Sequence, residues 1–386
     1  MMINKIDPLL YQKIQTQNLN NKPIDCIVYS NNYRLCKHCL DNVCDMGNKV
    51  ELPFINAFGV KLKPEEVSQV ARFSHVSYVT SSLKVQAQID VSKKIIDITT
   101  ESQYPHDFTC VVIDTGISPT LDLCVPNNRI VEFVDYVNDK NSPYDDNGHG
   151  TFVASILAGY GTVSNRKYAG IDSKCRLIGI KALDSNGETG VINILKAMQW
   201  VVDNRKKYNI KVVCMSFGSM VLSSNDPLIT GAEVLWNNGI TVVAAAGNSG
   251  PESQTIKSPG ASSKIITVGA INDNRKNGKF NEDNFVIADF SSRGPILDNY
   301  KPDLVVPGVD IMGGCNYRLT KEHYKTMSGT SVATPIVAGV CCRLLSQNPK
   351  LKPNEIKHIL LNKTIKIVDD RNAEGYGLLN CSNLIF

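Results

Sequence analysis

The alternation of short apolar runs with helical segments from Cys110 onward constrains the fold of this chain more than any other feature. Four runs are apolar, bounded by turn residues and typical of buried strands: Cys110–Asp114, Leu177–Leu183, Val212–Gly218 and Thr241–Asn248. Apolar residues recur at helical spacing in Val191–Tyr208, Ala232–Asn237 and Val332–Leu345. Strands that alternate with helices form parallel sheets with helices on both faces. We therefore predict an α/β domain whose functional residues follow the carboxyl ends of its strands.

The first part of the chain predicts a smaller α+β unit of the ferredoxin-like type. Ile24–Ser30 is strand-like, Val50–Leu62 is typical of a second extended segment, and Val76–Gln86 is again rich in strand-forming residues. A helix is expected to begin at Lys63-Pro64-Glu65-Glu66, because proline and acidic side chains suit the first turn. The predicted domains are therefore an α+β unit at 1–90, a polar linker at 91–107 and the α/β domain at 108–386.

Bulk properties narrow the range of partners and locations. The net charge of +4 is small and is not gathered into a block, so nucleic acid is not an expected partner. The sequence contains no apolar run of the length, about 18 residues, that predicts a transmembrane helix. Its amino terminus lacks the features of a secretory signal. Together with 12 cysteines, this predicts a cytoplasmic protein with reduced thiols and no membrane partner.

One group of cysteines leaves a metal site open. Cys36, Cys39 and Cys44 lie close together in the sequence, with His38 between the first two. Thiolate and imidazole groups are common zinc ligands, although no second ligand pair follows at finger-like spacing. The favoured interpretation is that these are loop thiols without a metal.

Four residues in the predicted α/β domain supply the groups that serine-dependent peptide hydrolysis needs. Asp114 ends a predicted strand, His149 is flanked by glycines, Asn248 follows another strand, and Ser331 begins a helix. Each alone has an ordinary structural explanation, such as a turn or helix cap. Together they provide a nucleophile, a general base, a carboxylate that orients the base, and an amide donor for an oxyanion.

The segments around these residues resemble the subtilase family, in the family's own order: VVIDTGI, NGHGTFVAS, VVAAAGNSGP and MSGTSVATPIVAG. FSSRGP, KPDLVVPGVDI and the closing GYGLLN are also similar to family segments, so the resemblance covers about residues 107 to 386. It is nearest to intracellular bacterial members. It implies a mostly parallel, helix-flanked sheet and an endopeptidase that needs no cofactor for its chemistry. The implied triad is Asp114, His149 and Ser331, with Asn248 in the oxyanion hole.

The resemblance also implies a cleft that binds protein segments as extended strands. One edge is Ser216-Phe217-Gly218, and the facing edge is Leu183–Gly190, which includes Gly187 and Gly190. Ala246 and Gly247 complete the implied substrate site. Main-chain hydrogen bonds would bind the peptide while pockets select its side chains. An apolar side chain is expected on the amino side of the scissile bond.

Three departures from the family pattern have limited implications. Phe152 replaces the usual histidine and Ser155 a frequent glycine, and we expect these changes to affect packing alone. Asp122 matches a calcium ligand of the family. The segment Gly159–Gly170, however, does not resemble the usual calcium loop, and calcium needs about six oxygen ligands. A structural calcium therefore stays open.

The amino-terminal unit resembles the propeptide domain that subtilases use as an intramolecular chaperone and inhibitor. In that interpretation the segment Leu83–Asp90 would occupy the cleft, and self-processing would cut within 87–107. The alternative is a permanent accessory domain.

Other functions are weaker candidates. A catalytically silent regulator that binds extended segments is the main alternative, although all triad residues are present. An α/β-hydrolase would need a Gly-x-Ser-x-Gly elbow and a different residue order. A dinucleotide-binding protein would need Gly-x-Gly-x-x-Gly after a strand. Neither pattern is found.

Overall fold

A computed structural model describes residues 5–6, 10–11, 14, 22–43, 49–52, 56–81, 89–98, 106–221, 226–275, 281–382 and 384. The chain divides into two compact units, Met1–Val85 and Gln86–Phe386. Within the described ranges, none of the helices combines the length and apolarity that a membrane-spanning helix needs.

Among its described residues, the first unit contains a four-stranded antiparallel sheet and helices. Its elements, in chain order, are β1 (Ile24–Ser30), α1 (Tyr33–Asp41), β2 (Lys49–Leu52), β3 (Ala57–Leu62), α2 (Pro64–Ala71) and β4 (Val76–Ser81). The strands lie in the order β2-β3-β1-β4, which is the ferredoxin-like arrangement that was predicted. The single extended segment predicted at Val50–Leu62 was wrong in detail, since β2 and β3 are two paired strands with Val50 opposite Gly59.

Helix α1 corrects the interpretation of Cys36 and Cys39 as loop thiols. The side chain of Asn32 accepts a hydrogen bond from the Leu35 N–H and so caps the start of the helix. Cys36 and Leu40, one turn apart, are buried in the core of this unit, whereas His38 is exposed. Burial raises the pKa of the Cys36 thiol, which disfavours the thiolate that zinc would require. Cys44 lies outside the described residues.

The second unit is built around one large sheet. The strands of this unit are β5 (Thr109–Asp114), β6 (Ile130–Asp135), β7 (Arg176–Lys181), β8 (Ile210–Met215), β9 (Thr241–Ala245), β10 (Ile266–Asn272), β11 (Val286–Ile287), β12 (Leu304–Pro307), β13 (Ile311–Gly314), β14 (Tyr324–Met327), β15 (Thr364–Ile365) and β16 (Leu378–Leu379). Of these, β13 and β14 form a separate two-stranded sheet. Its α-helices are α3 (Ile89–Ile95), α4 (Leu121–Cys124), α5 (His149–Ala158), α6 (Val191–Asn204), α7 (Pro227–Asn237), α8 (Tyr317–Thr320), α9 (Thr330–Gln347), α10 (Pro353–Leu361) and α11 (Arg371–Glu374). A short 3₁₀ helix spans Glu282–Asn284.

The order of strands in the large sheet fixes where a site can form. That order is β15-β16-β12-β10-β9-β8-β5-β7-β6, and neighbours from β16 to β6 run parallel. Strand β5 lies between β7 and β8. After β5 the chain adds β6 and β7 on one side of it and then adds β8 on the other side. A crevice opens at the carboxyl ends of the strands at such a switch point. Asp114 is the last residue of β5.

The predicted α/β domain is confirmed, with helices covering its sheet. Helix α5 packs against α9, and α6 packs against α7. Every residue of β5 and β9 is buried, as expected for parallel strands covered on both faces. Part of the predicted linker at 91–107 is instead structured, because α3 spans Ile89–Ile95 and the side chains of Ile95, Ile96 and Ile98 join the core of this unit. Their aliphatic spacing was missed beside the polar residues around them.

Candidate active site

Asp114 and His149 meet at the switch point of the large sheet. Asp114 ends β5, His149 is the first residue of α5, and His149 Nδ1 lies 2.7 Å from Asp114 Oδ1. The Asp114 side chain is 1% exposed and that of His149 is 21% exposed, so the carboxylate is shielded while the imidazole reaches solvent. A carboxylate on Nδ1 leaves Nε2 as the ring nitrogen available for proton transfer.

The charges around His149 favour its protonated form. Burial by itself would lower the pKa of His149. The negative charge of Asp114, its hydrogen bond and the charge of Asp145 outweigh burial, while the ammonium of Lys325 opposes them. The net result is a pKa of His149 above its ordinary value. An imidazolium formed during a reaction would therefore be stabilised at this position.

Asp145 holds the segment that carries His149, and sequence analysis missed it. Its Oδ1 accepts hydrogen bonds from Thr115 Oγ1, Asn147 N and Gly148 N, at 2.9, 3.1 and 2.8 Å. Its Oδ2 accepts from the N–H and hydroxyl of Thr151, at 2.9 and 2.7 Å. One buried carboxylate therefore connects the turn after β5 to the first turn of α5. Gly148, between them, has a φ of 97°, which favours glycine. The signal in the sequence was an acidic residue four positions before His149.

Ser331 and Asn248 form a second pair. Ser331 is the second residue of α9, as predicted from the helical pattern that follows it. The side-chain oxygen of Asn248 accepts hydrogen bonds from the N–H and the hydroxyl of Thr330, both at 2.9 Å. These two bonds fix the amide so that its NH₂ group remains available as a donor. A Cβ atom placed on Gly329 would lie 3.1 Å from Ser331 Oγ and 3.3 Å from Asn248 Nδ2, so both groups border one small volume.

Helices α5 and α9, which carry His149 and Ser331, pack against each other. Within the part of the chain that the structure describes, no hydrogen bond joins these two side chains. Such contacts are often long in unliganded enzymes and shorten when substrate binds. The structure thus places Asp114 against His149, and Asn248 beside Ser331, on elements that are in contact.

Two cavities lie along the predicted substrate edges. A cavity of about 170 Å³ is bordered by the predicted residues Ser216, Phe217, Gly218, Gly247, Asn248 and Ser331. A second, of about 350 Å³, has Leu183 and Gly187 on one side and Phe217 and Gly218 on the other. Residues from the two predicted edges therefore border the same space.

Two other predicted substrate residues lie elsewhere. The Ala246 side chain is fully buried and packs with Ile229, Ile256 and Ala261, while Ala245 borders the smaller cavity in its place. Successive side chains of an extended segment point to opposite sides, so only one of these neighbours can face the cavity. Gly190 is the N-cap of α6, and a Cβ placed there would meet nothing within 4 Å. It borders neither cavity.

Asp122, which the family resemblance leaves open as a calcium ligand, has both carboxylate oxygens engaged. Oδ1 accepts from the N–H of Val163 at 3.3 Å, and Oδ2 accepts from the hydroxyl of Tyr324 at 2.6 Å. The Arg129 guanidinium donates to the backbone carbonyls of Asp122, Leu123, Ala158 and Ser173, so a side-chain cation already occupies this region. Among the described residues, the structure brings together no three Asp, Glu, His or Cys side chains that could hold a metal ion.

Phe152 and Ser155, which depart from the family pattern, face strand β13. A Cβ placed on Gly313 would lie 2.8 Å from the Phe152 ring, and Ser155 Oγ donates to the Gly314 carbonyl at 3.3 Å. These substitutions are therefore accommodated by two glycines on the opposing strand. No disulfide joins the described cysteines, which are Cys26, Cys36, Cys39, Cys110, Cys124, Cys175, Cys214, Cys315, Cys341, Cys342 and Cys381.

Comparison with known proteins identifies the family of this chain. A sequence model of the subtilase family, peptidase S8, matches residues 106–378. Serine protease AprX of Bacillus subtilis is 39% identical over 351 residues, which cover 83% of this chain and 78% of that protein. A thermostable alkaline protease of Halalkalibacterium halodurans is 28% identical, covering 86% of this chain and 82% of its own.

Solved structures give the same result. The S41 psychrophilic protease superposes with a TM-score of 0.64 at 27% identity, covering 76% of this chain and 98% of that structure. Sphericase superposes with a TM-score of 0.62 at 25% identity, covering 76% of this chain and 99% of that structure. The chain belongs to the subtilase family and is a subtilisin-like serine endopeptidase.

Proposed function

We propose that this chain cuts peptide bonds through Asp114, His149 and Ser331, with Asn248 donating to the oxyanion. His149 Nε2 takes the proton of the Ser331 hydroxyl while Oγ attacks the substrate carbonyl carbon. The carbonyl oxygen becomes negative and accepts a hydrogen bond from Asn248 Nδ2. The C–N bond then breaks, the amine leaves with the proton from His149, and an acyl-enzyme ester on Ser331 remains.

Hydrolysis of the ester repeats the same proton transfers. A water molecule gives a proton to His149 and attacks the acyl carbon, and His149 returns that proton to Ser331 Oγ as the acid product leaves. Asp114 keeps its negative charge throughout and stabilises the imidazolium. The observation that carries this proposal is the 2.7 Å contact between His149 Nδ1 and Asp114 Oδ1 at the carboxyl end of β5.

Proteins bound as extended strands are the proposed substrates. A cavity of about 350 Å³ is bordered by Phe217 and Gly218 on one side and by Leu183 and Gly187 on the other, which suits a peptide lying between them. Main-chain hydrogen bonds to such edges bind many sequences equally, so selectivity has to come from side-chain pockets. Cleavage of protein substrates is tested by casein hydrolysis with and without a covalent serine-protease inhibitor.

Ser331→Ala is the decisive variant for the mechanism. We expect it to reduce kcat by about a millionfold, which is the loss seen when subtilisin lacks its triad serine. Hydrolysis that persists at the wild-type rate would refute the role of Ser331. A folded, processed wild-type protein that cleaves nothing would instead favour a catalytically silent regulator that binds extended segments.

We further propose that the chain is made as a zymogen and that residues 1–90 act as its intramolecular inhibitor and chaperone. The first unit has its own apolar core and a ferredoxin-like sheet, which supports its folding as a separate body. Self-processing is proposed within 87–107 but outside Ile95–Ile98, whose side chains belong to the core of the second unit. The cytoplasmic location also stays a proposal, supported by the lack of disulfides among the described cysteines.

Mass spectrometry tests the zymogen proposal. Wild-type protein should yield a shorter form that starts within 87–107, whereas Ser331→Ala should keep its full mass. Equal masses for the two proteins would rule out self-processing and favour a permanent accessory domain.

A further inference from the structure

The cavity beside Ser331 contains a positive charge that the family resemblance did not predict. Its lining includes Lys257 together with Ser216–Gly218, Ala245, Gly247–Ser249 and Thr330–Ser331. Among these described lining residues, Lys257 alone carries a charge at neutral pH. Lys257 lies nine positions beyond Asn248 and outside the motifs that carried the sequence prediction.

Two glycines make room for the lysine side chain. A Cβ on Gly218 would come within 2.5 Å of Lys257 Cβ, and a Cβ on Gly247 would overlap Lys257 Cγ. The methylene groups of Lys257 therefore pass between the backbones of these two cavity residues. The Lys257 N–H donates to the Ala246 carbonyl at 2.8 Å, and the Lys257 carbonyl accepts from the Ala261 N–H at 3.1 Å. The lysine stem is thus a fixed part of the cavity wall.

The charge of Lys257 has no partner in the described part of the chain. Its ammonium group forms neither an ion pair nor a hydrogen bond there, although its side chain is partly buried. A partly buried cation loses some of its hydration, and an anion that enters the same space restores the lost interaction. A ligand carboxylate would make a charge-assisted hydrogen bond with this ammonium.

We propose that this cavity receives the substrate side chain on the amino side of the scissile bond and that Lys257 selects aspartate or glutamate there. This inference rests on the proposed function, because the cavity is a substrate pocket only if Ser331 is the nucleophile. It replaces the apolar preference expected from the sequence. The small volume, about 170 Å³, and its position at Ser331 and Asn248 suit one side chain next to the attacked carbonyl.

Four fluorogenic peptides that differ at this one position test the proposal: glutamate, its neutral isostere glutamine, leucine and lysine. We expect the purified wild-type enzyme to cleave the glutamate peptide about 10- to 100-fold faster than the glutamine peptide in kcat/KM, the value of a charged hydrogen bond. The preference should shrink at high salt, because ions screen a partly exposed charge pair. A glutamate-to-glutamine ratio of one or less in the wild-type enzyme would overturn the proposal.

Variants of the lysine locate the cause of the preference. Lys257→Met keeps the methylene stem and should bring the glutamate-to-glutamine ratio close to one, and Lys257→Glu should favour the lysine peptide. Each ratio is measured within one enzyme, so a change in overall activity cancels. Lys350→Met removes an exposed lysine elsewhere and should keep the wild-type ratio. A ratio unchanged in Lys257→Met would refute the role of Lys257.

The outcomes separate this inference from the proposed function. If the enzyme cleaves the glutamine or leucine peptide through Ser331 without favouring glutamate, the inference about Lys257 fails and the protease mechanism stands. If Ser331→Ala cleaves all four peptides as well as wild type, the proposed mechanism fails, and the cavity is not the pocket described here.

Discussion

Replacing Asp145 by asparagine should weaken both the stability of the second unit and the geometry of His149. The two side chains have the same size, but asparagine has one accepting oxygen where Asp145 has two. If the amide oxygen takes the place of Oδ1, Thr115, Asn147 and Gly148 keep an acceptor. The NH₂ group would then face the Thr151 N–H, which donates to Oδ2 at 2.9 Å in the present structure.

The expected cost follows from these bonds. A buried N–H left without an acceptor costs about 1–3 kcal/mol, and the three remaining bonds lose the strength that a charged acceptor gives them. Together these losses should lower the free energy of unfolding by about 3–5 kcal/mol, which lowers Tm by roughly 5–15 °C for a protein of this size. The unfolding experiment should use the Ser331→Ala background, so that self-digestion does not distort the transition.

The same substitution should shift the pH profile. The negative charge of Asp145 contributes to the raised pKa of His149, so its removal lowers that pKa. Because the general base has to be neutral, the acidic limb of kcat/KM should move to lower pH. The plateau value of kcat/KM should fall by about 10- to 100-fold, since displacement of a catalytic group by about an ångström lowers the rate by this order.

Asp139→Asn is the matched control for Asp145→Asn. Asp139 is exposed in the same loop and has a φ of 54°, a conformation that asparagine adopts readily. We expect its Tm and its pH profile to stay at wild-type values. An unchanged Tm in Asp145→Asn, or an acidic limb that moves to higher pH, would refute the reasoning.

Three further predictions concern the same unit. Lys325→Met removes a positive charge that lowers the pKa of His149, so the acidic limb of kcat/KM should move to higher pH; a shift in the opposite direction would contradict this assignment. Asn248→Ala should lower kcat by about 10²–10³-fold with little change in KM, as removal of one oxyanion-hole donor does in subtilisin. A loss confined to KM would exclude an oxyanion role for Asn248. Excess EDTA should leave Tm unchanged, because hydrogen bonds engage both oxygens of Asp122 and Arg129 supplies the local cation; a Tm that falls and recovers with calcium would show a metal site.

The sequence predicts the large sheet well, and it singles out the candidate triad, because both depend on local patterns. Apolar runs that end in Asp114 or lead to Asn248 mark strand ends, and helical spacing after Ser331 marks the start of α9. The roles proposed for these side chains follow from their chemistry and chain order. The raised pKa of His149 needed the structure, because it is the balance between burial and charges from distant positions.

Features that form only where side chains from several elements meet could not be predicted from the sequence. Asp145 matters because donors from Thr115 to Thr151 meet at one carboxylate, and no local pattern encodes that meeting. Lys257 enters the cavity only because Gly218 and Gly247 leave space for its stem. Helix α1 was missed because its apolar positions are few and are interrupted by charged residues.

The placement of the proposed nucleophile late in the chain has a consequence for biosynthesis. Ser331 lies at the start of α9, which packs against β8, β9 and β10, all of which precede it in the sequence. A ribosome-bound chain that has emerged only as far as β10 carries Asp114 and His149 but not the hydroxyl they would activate. Under the proposed mechanism, proteolytic capacity therefore arises only after most of the sheet has been synthesised.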